Sequence, residues 1–237
     1  MKNSTLILLI FLLSGNLIFP SSKSFSEQDP QNPNYSQNRE AAKRYFDEGA
    51  EYAKKGQAKE AISAFQKAIE KDPEDSGVYL NMGIVYSALG QKEEAVAALE
   101  KAEMFAPAGS LEGTPKDKFF LIIGHFYRQL GDNNNAINIL KKSLELNPRS
   151  EGSYYQLSDI YFHSGMYNDA IQNCIKAMEI NPNNGHVLFL LGASQEKIGN
   201  HEEAMVNFKK ALEAYKNNNE NESAKIVKDV LRKFGVK

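Results

Sequence analysis

The stretch NMGIVYSALGQKEEAVAALEKAEMFAP, residues 81–107, sets small side chains among large apolar ones. Gly83 and Gly90 lie in its first half, and Ala95 and Ala102 lie in its second half. It contains no histidine, no cysteine and no glycine-rich phosphate-binding loop. This pattern of small and large side chains therefore concerns packing, and the first question is whether the same small residues recur elsewhere in the chain.

Prolines around this stretch reveal a repeat of 34 residues. Pro73 and Pro107 are separated by this interval, and so are Pro148 and Pro182. The gap between the two pairs is seven residues longer than one period. Alignment on the prolines predicts five repeats, with the surplus residues 110–116 between the second and the third. The repeats are 42–75, 76–109, 117–150, 151–184 and 185–218.

Columns of this alignment hold one kind of side chain. Position 8 is small in every repeat: Gly49, Gly83, Gly124, Ser158 and Gly192. Position 15 is always glycine: Gly56, Gly90, Gly131, Gly165 and Gly199. Position 20 is always alanine: Ala61, Ala95, Ala136, Ala170 and Ala204. Positions 4, 11 and 24 are mostly large and apolar or aromatic, so the small columns stand beside bulky ones.

The spacing of the columns predicts two helices in each repeat. Positions 4, 7, 8 and 11 share one face of a helix, and positions 20, 24 and 27 share one face of another. A glycine at position 15 can take the left-handed conformation that ends the first helix. A proline at position 32 ends the second, because it lacks an N–H and restrains the residue before it. Since helices approach closely only where no side chain intervenes, we expect position 8 to contact position 20.

These columns resemble the tetratricopeptide repeat, whose pattern runs W-x2-L-G-x2-Y, then Ala, Phe and Pro over 34 residues. The resemblance covers about three quarters of the chain and implies an all-α fold, an α-solenoid wound as a right-handed superhelix of about five helix-turn-helix repeats. The chain departs from the pattern in having no Trp, and in Ser158, Gln195 and Lys216, which replace Gly, Tyr and the fifth proline. The last segment, 219–237, has apolar residues along one side, and we expect a helix that caps the final repeat.

The amino-terminal segment differs in composition from the repeats. An apolar run, LILLIFLLSGNLIF, follows Lys2 and is short and interrupted for a membrane span. Ser22 and Ser24 are spaced as a signal peptidase requires, so residues 1–24 are predicted to be a secretory signal peptide and the mature chain to be exported to the periplasm or beyond the cell. The alternative is an uncleaved membrane anchor. Residues 25–41 are rich in Gln, Asn and Ser, which predicts a flexible linker.

Composition argues against several classes of function. A formal charge of −2 gives no field that would attract nucleic acid or an anionic membrane. The single cysteine, Cys174, excludes a disulfide framework and is expected to be an inert core thiol. The four histidines fall in different repeats without ligand spacing, and no nucleotide-binding, hydrolase or zinc-protease motif occurs. We therefore expect no cofactor, no metal and no enzymatic activity.

The resemblance also implies a binding site. In tetratricopeptide proteins the first helix of each pair lines a concave groove, and positions 2, 5, 9 and 12 commonly touch the ligand. The groove residues carried over to this chain are Phe46, Leu80, Ile84, Leu121, His125, Arg128, Tyr155, Asp159, Phe162 and Phe189 at positions 5, 9 and 12, together with Asn81 at position 6. Position 5 is apolar or aromatic in all five repeats, which fits a ligand-binding stripe and also fits packing against neighbours. If it is a stripe, its residues should be partly exposed, with Tyr155 and Phe189 the best candidates.

The sequence does not match one specialised binding groove of the family. Members that hold the carboxyl-terminal Asp of chaperones use five Lys, Asn and Arg residues at defined positions, and only Asn81 and Lys118 match here. We therefore expect a different partner. The sequence favours a non-enzymatic, exported scaffold that binds a peptide or protein segment. Two alternatives are an assembly factor for an envelope machine such as a pilus, secretion or outer-membrane complex, and an accessory subunit of a cell-wall or polysaccharide enzyme.

Overall fold

The computed structural model describes residues 33–106 and 114–235, which form eleven helices. They are α1 (Pro33–Lys54), α2 (Ala58–Lys71), α3 (Ser76–Leu89), α4 (Lys92–Met104), α5 (Lys116–Gln129), α6 (Asn133–Leu146), α7 (Glu151–His163), α8 (Tyr167–Ile180), α9 (Gly185–Lys197), α10 (His201–Asn217) and α11 (Asn221–Lys233). The predicted signal peptide, residues 25–32 of the predicted linker and residues 110–113 of the surplus segment lie outside the described residues.

The helices follow the predicted repeats. The first helices of the five repeats are α1, α3, α5, α7 and α9, and the second helices are α2, α4, α6, α8 and α10. The chain divides into two compact units, Met1–Asp132 and Asn133–Lys237. We call their described parts the amino-terminal body (α1 to α5) and the carboxyl-terminal body (α6 to α11). The division falls inside the third predicted repeat, between its two helices.

The start of α1 corrects the predicted linker. The helix begins at Pro33, so residues 33–41 are helical and not a flexible tether. Proline suits the first position of a helix, because its missing N–H has no partner there and its φ is already helical. Ala41 and Ala42 favour helix strongly, and Ala42 is only 4% exposed. The helix therefore extends further toward the amino terminus than the repeat pattern indicated.

The glycine at position 15 ends each first helix as predicted. All five of these glycines have positive φ, between 73° and 86°. Each first helix stops one or two residues before its glycine. A Cβ would be strained at such a backbone angle, so this column fixes where the chain turns from the first helix to the second.

Proline at position 32 ends the second helices, and its absence lengthens the last one. α2, α6 and α8 end two residues before Pro73, Pro148 and Pro182 respectively. α10 has Lys216 at this position and runs for 17 residues, against 14 in α8. Asn219, with φ 61°, then turns the chain, because asparagine tolerates the left-handed region better than most residues. The extra turn of α10 carries Tyr215 in helical conformation.

The small columns mark the closest helix contacts, as predicted. The alanine at position 20 is fully buried in all five repeats. A Cβ on Gly83 would lie 3.0 Å from Leu99 and 3.4 Å from the carbonyl oxygen of Ala95. A Cβ on Gly192 would lie 3.0 Å from the carbonyl oxygen of Ala204. The two helices of each of these repeats thus meet backbone to backbone at positions 8 and 20.

The fourth repeat has a serine in place of the glycine at position 8, and a small residue at position 24 compensates for it. Ser158 and Cys174 are both completely buried, and their side chains share a hydrogen bond. Gly192 of the fifth repeat instead faces the Phe208 ring at 3.0 Å. A smaller residue at position 24 therefore leaves room for the serine. Burial raises the pKa of the Cys174 thiol to about 11, although the hydrogen bond that it shares with Ser158 acts in the opposite direction.

The final helix is a cap, as predicted for this part of the chain. α11 packs Ala224, Val227 and Leu231 into a core cluster with Phe208 and Tyr215 of α10. Its other side carries exposed charged residues. A helix with one apolar stripe can close the end of a stacked array without exposing a further apolar face.

Candidate functional site: a half-exposed face on two adjacent helices

The first helices of the carboxyl-terminal body have one face that no neighbouring helix buries completely. In α9, Val187 and Leu191 pack against the preceding second helix, in the cluster around Cys174. Leu188 packs against its own second helix, in the cluster around Phe208. Positions 2, 5, 9 and 12 remain on the other side. We call these positions of α7 and α9 the α7–α9 face: Gly152, Tyr155, Asp159, Phe162, His186, Phe189, Ala193 and Glu196.

Tyr155 is half-buried and lies beside the start of α9. Its ring centroid is 6.4 Å from that of His186, and its carbonyl oxygen accepts a 2.7 Å hydrogen bond from the Ser158 hydroxyl. The ring also packs at the edge of the cluster that contains Cys174 and Val187. One part of the ring is thus anchored in the core, and the remainder is available to solvent.

His186 connects this face to the cap. Its Nδ1 shares a 3.0 Å hydrogen bond with the Tyr215 hydroxyl, and its Nε2 lies 3.2 Å from the Glu220 carboxylate, just before α11. The Tyr215 ring stands edge-on to the imidazole, with centroids 5.1 Å apart. Burial, followed by the neighbouring Tyr155 and Glu220, raises the pKa of Tyr215, so its hydroxyl stays protonated. Both imidazole nitrogens therefore have a protein partner.

Asp159 and Phe162 lie on the next two turns of the same face. The Phe162 ring is half-buried and packs against Tyr167 and His163, at centroid distances of 5.7 and 5.3 Å. Asp159 is half-buried, and its carboxylate lies 3.6 Å from His163 Nδ1. The same nitrogen is 2.9 Å from the Asp159 carbonyl oxygen. A carboxylate thus lies one turn from Tyr155, and an aromatic ring lies two turns from it.

Phe189 and Glu196 occupy the corresponding positions of α9. Phe189 is half-buried, with its ring 5.5 Å from that of Phe208 in the core. Glu196 lies two turns further along, and its carboxylate is 2.7 Å from His201 Nδ1. Its side chain is about one third exposed. The α7–α9 face therefore presents aromatic rings together with carboxylates.

The predicted groove residues on α1 and α3, in the amino-terminal body, are buried and not half-exposed. The four have exposures between 0% and 5% and lie in the interior: Phe46, Leu80, Asn81 and Ile84. At Phe46 and Leu80, position 5 is therefore core, which is the packing alternative, and it does not form a partly exposed ligand stripe there. Phe46 packs on Phe65, with centroids 5.9 Å apart, and the Asn81 amide donates to the Gly77 carbonyl at 2.7 Å. α3 is apolar on nearly all sides and is buried accordingly.

The three candidates on α5 are half-buried. They are Leu121, His125 and Arg128. His125 Nε2 lies 2.9 Å from the Gln129 amide nitrogen. They belong to the amino-terminal body, whereas Tyr155, Asp159, Phe162 and Phe189 share the carboxyl-terminal body.

Sequence reasoning missed the contacts around His186. His186 stands at position 2, which the family pattern includes, but its partners Tyr215 and Glu220 come from outside the first helices. The sequence did contain one signal for these contacts, which is Lys216 in place of the fifth proline. Without a proline there, α10 continues through Tyr215. Nearby, Asn184 caps α9 by accepting hydrogen bonds from the amides of His186 and Val187. Its own amide donates to the Glu151 carboxylate.

The described residues contain neither a metal-binding cluster nor a membrane-spanning helix. Within 33–106 and 114–235 no group of three or more His, Cys, Asp or Glu side chains could hold a metal ion. The helices in these ranges are all too short or too polar to cross a bilayer.

Comparison with known proteins identifies the family. Three family models, each described as a tetratricopeptide repeat, match residues 52–110, 118–150 and 149–217, which together make up about two thirds of the chain. This chain is a tetratricopeptide-repeat protein. The all-α repeat solenoid that the resemblance implied is confirmed by solved structures of the same class.

Among these structures, the crystal structure of MamA is 26% identical to this tetratricopeptide-repeat protein, with a TM-score of 0.64 over 76% of this chain and 95% of that one. MamA MSR-1 C2 is 29% identical, with a TM-score of 0.60 over 75% and 98%. YrrB, described as a TPR protein with an unusual peptide-binding site, is 21% identical, with a TM-score of 0.62 over 82% and 95%, and shows the fold alone. A comparison with curated proteins gives no match.

Proposed function

We propose that this protein is a non-enzymatic interaction scaffold that binds a peptide or protein segment on the α7–α9 face. The observation that supports this most directly is the set of half-exposed aromatic rings on adjacent helices, Tyr155 and Phe162 on α7 and Phe189 on α9. Each ring is anchored at one edge in the core. Anchored aromatic side chains are typical of the residues that dominate binding energy, because they lose little conformational freedom when a partner covers them.

The family supports the same function. Tetratricopeptide repeats are interaction modules that bind protein or peptide partners. YrrB, which shares the fold, is described as having a peptide-binding site. We carry peptide binding over to this chain as part of the proposal, and place it at the α7–α9 face on the burial and contacts above.

A binding role also agrees with the chemistry of the described residues. The one thiol, Cys174, is completely buried and its pKa is raised to about 11, so it is not a nucleophile at neutral pH. The histidines at 163, 186 and 201 each pair with a carboxylate. None of the three pairs contains a cysteine or serine nucleophile that the imidazole could activate.

We further propose that the protein works in the cell envelope, as a scaffold or assembly factor. The support is the apolar run of residues 6–19 followed by Ser22 and Ser24. Intact-mass analysis of the exported protein tests this, and the expected mature chain begins near Phe25. Retention of Met1 in a membrane fraction would favour the anchored alternative, and a cytoplasmic full-length chain would contradict export altogether.

Site-specific photocrosslinking tests the binding face. A photoreactive phenylalanine analogue is placed at Tyr155 or Phe189 and, as matched controls, at Ile175 and Val206, which are 46% and 51% exposed on the second helices. We expect a discrete crosslinked partner from the first two positions and not from the controls. Crosslinks only from the control positions would move the site to the second helices and contradict the proposal.

A further inference from the structure

Charge is distributed unevenly over the helices of the carboxyl-terminal body. The α7–α9 face contains Asp159 and Glu196 and has no lysine or arginine among its eight positions. α7 has no lysine or arginine at all, and the only one in α9 is Lys197, at its end. The second helices and the cap carry most of the cations of this body: Lys141, Lys142, Lys176, Lys209, Lys210, Lys216, Lys225, Lys228, Arg232 and Lys233.

The corresponding positions of the amino-terminal body have the opposite sign. Positions 2, 5, 9 and 12 of α1, α3 and α5 include Lys43, Lys118 and Arg128 and contain no carboxylate. Acidic character is therefore a property of the α7–α9 face and not of every first helix in the chain. A surface of one sign favours a partner of the other sign and rejects partners of its own.

Two partly exposed carboxylates can act on a segment bound to the α7–α9 face: Glu196 belongs to this face, and Glu220 contacts its His186. Glu196 is held by His201 at 2.7 Å and is about one third exposed. Glu220, held by His186 at 3.2 Å, is exposed to the same degree. Through His186 this second carboxylate is linked to the ring of Tyr155. Each carboxylate has two oxygens and about four acceptor sites, so a contact to one histidine leaves acceptor capacity for a further donor.

From this distribution we infer that the α7–α9 face selects a cationic, amphipathic segment, in which apolar side chains cover Phe189 and Tyr155 and lysine or arginine side chains reach Glu196 and Glu220. Aromatic faces add to the attraction, because they stabilise cations through their quadrupole. Charge-assisted hydrogen bonds to the carboxylates also fix the orientation of the bound lysine or arginine side chains. The inference rests on the proposed function, and names the class of partner for that same face.

Three synthetic peptides test the inference. They share one pattern of Leu and Phe residues and carry Lys, Gln or Glu at all other positions, and each is titrated against the full chain by fluorescence anisotropy. We expect the Lys peptide to bind about tenfold or more tightly than the Glu peptide, with the Gln peptide between them. Added salt should reduce this difference, because the carboxylates are partly exposed.

Matched variants locate the effect. Glu196→Gln keeps the shape and a hydrogen-bonding side chain beside His201, and should reduce the preference for the Lys peptide several-fold. Glu220→Gln should act in the same direction. Glu179→Gln is the control, since Glu179 is an exposed carboxylate on the second helix α8, paired with Lys176 at 3.0 Å, and should leave the preference unchanged.

The outcomes separate the inference from the proposed function. Equal binding of the Lys and Glu peptides, or tighter binding of the Glu peptide, overturns the cationic partner and leaves peptide binding intact. A preference that survives Glu196→Gln and Glu220→Gln overturns the assignment to this face. Failure of all three peptides to bind the folded chain counts against both the inference and the proposed function.

Discussion

The Phe189 ring packs on the Phe208 ring with centroids 5.5 Å apart, and Phe46 and Phe65 make the same contact in the first repeat at 5.9 Å. In both repeats, the ring at position 5 therefore packs on the ring at position 24. Phe46 is only 5% exposed, whereas Phe189 is half-buried. The same residue type at the same position is core in one body and part of a half-exposed face in the other.

This difference predicts separable effects of truncation. Phe189→Ala should cost about 2 kcal/mol of unfolding free energy, since it removes part of a packed ring, and should also weaken partner capture. Phe46→Ala should cost more, about 3 to 5 kcal/mol, without a specific binding defect. Urea unfolding and the crosslinking assay measure the two effects. Ile226→Ala, at a residue 57% exposed on α11, is the stability control, and a loss of stability there equal to that of Phe189→Ala would contradict the assignment.

Ala170→Leu should separate the two helices of the fourth repeat. Ala170 is completely buried at position 20, so a larger side chain has no space, and overpacking of this kind costs about 1 to 3 kcal/mol. Thermal unfolding followed by circular dichroism measures the change. Gln172→Leu introduces the same side chain at an exposed position of α8 and should change little; a parent-like melt for Ala170→Leu would refute this close contact.

Positions 8 and 24 should be energetically coupled. Gly192→Ser should destabilise the fifth repeat, because its Cβ would lie 3.0 Å from Phe208 and from the carbonyl oxygen of Ala204. Adding Phe208→Cys reproduces the Ser158 and Cys174 pair of the fourth repeat and should recover part of the loss. A double-mutant cycle should give a favourable coupling of about 0.5 to 3 kcal/mol. Additive effects would show that the fourth repeat accommodates its serine for another reason.

Cys174 should titrate and react only when the fold opens. Because the folded pKa is raised from 9.0 to about 11, the thiol stabilises the fold below pH 9, and this contribution is lost as pH rises toward 11. Parent stability should therefore fall relative to Cys174→Ala by about 1 to 2 kcal/mol between pH 8 and pH 10.5. Urea unfolding at both pH values measures this. Iodoacetamide should label the native chain far more slowly than the unfolded chain at pH 8, and equal rates would contradict the burial.

Asn184 should hold the start of α9. Its side chain accepts hydrogen bonds from the His186 and Val187 amides at 2.9 and 3.3 Å. Asn184→Ala should cost about 1 kcal/mol or somewhat more, since it removes the cap and one donor to Glu151. Asn183→Ala, at the exposed preceding residue, is the control. Equal melting temperatures for the two variants would show that water replaces the cap without loss.

The sequence by itself determined the helix pairs and their closest contacts. Gly90 and its counterparts at position 15 end the first helices, because a positive φ excludes most other residues. The alanines at position 20 and the glycines at position 8 meet because only small side chains allow two backbones so near. Both features depend on local conformation and excluded volume, which residue type sets directly. The periodicity therefore predicted the helix pairs, and the resemblance to the tetratricopeptide repeat implied the solenoid, although residues 33–41, assigned to a linker, proved helical.

The tertiary structure alone decided which positions of the predicted groove reach solvent. Leu80 and Phe189 share position 5, but one is fully buried and the other half-exposed, because burial depends on everything that surrounds a helix. Gln195, which departs from the tyrosine pattern, receives a 2.8 Å hydrogen bond from Asn207, a pairing across two helices. The link from His186 to Glu220 likewise needs the extended α10. Such contacts join residues far apart in sequence, and no local pattern specifies them.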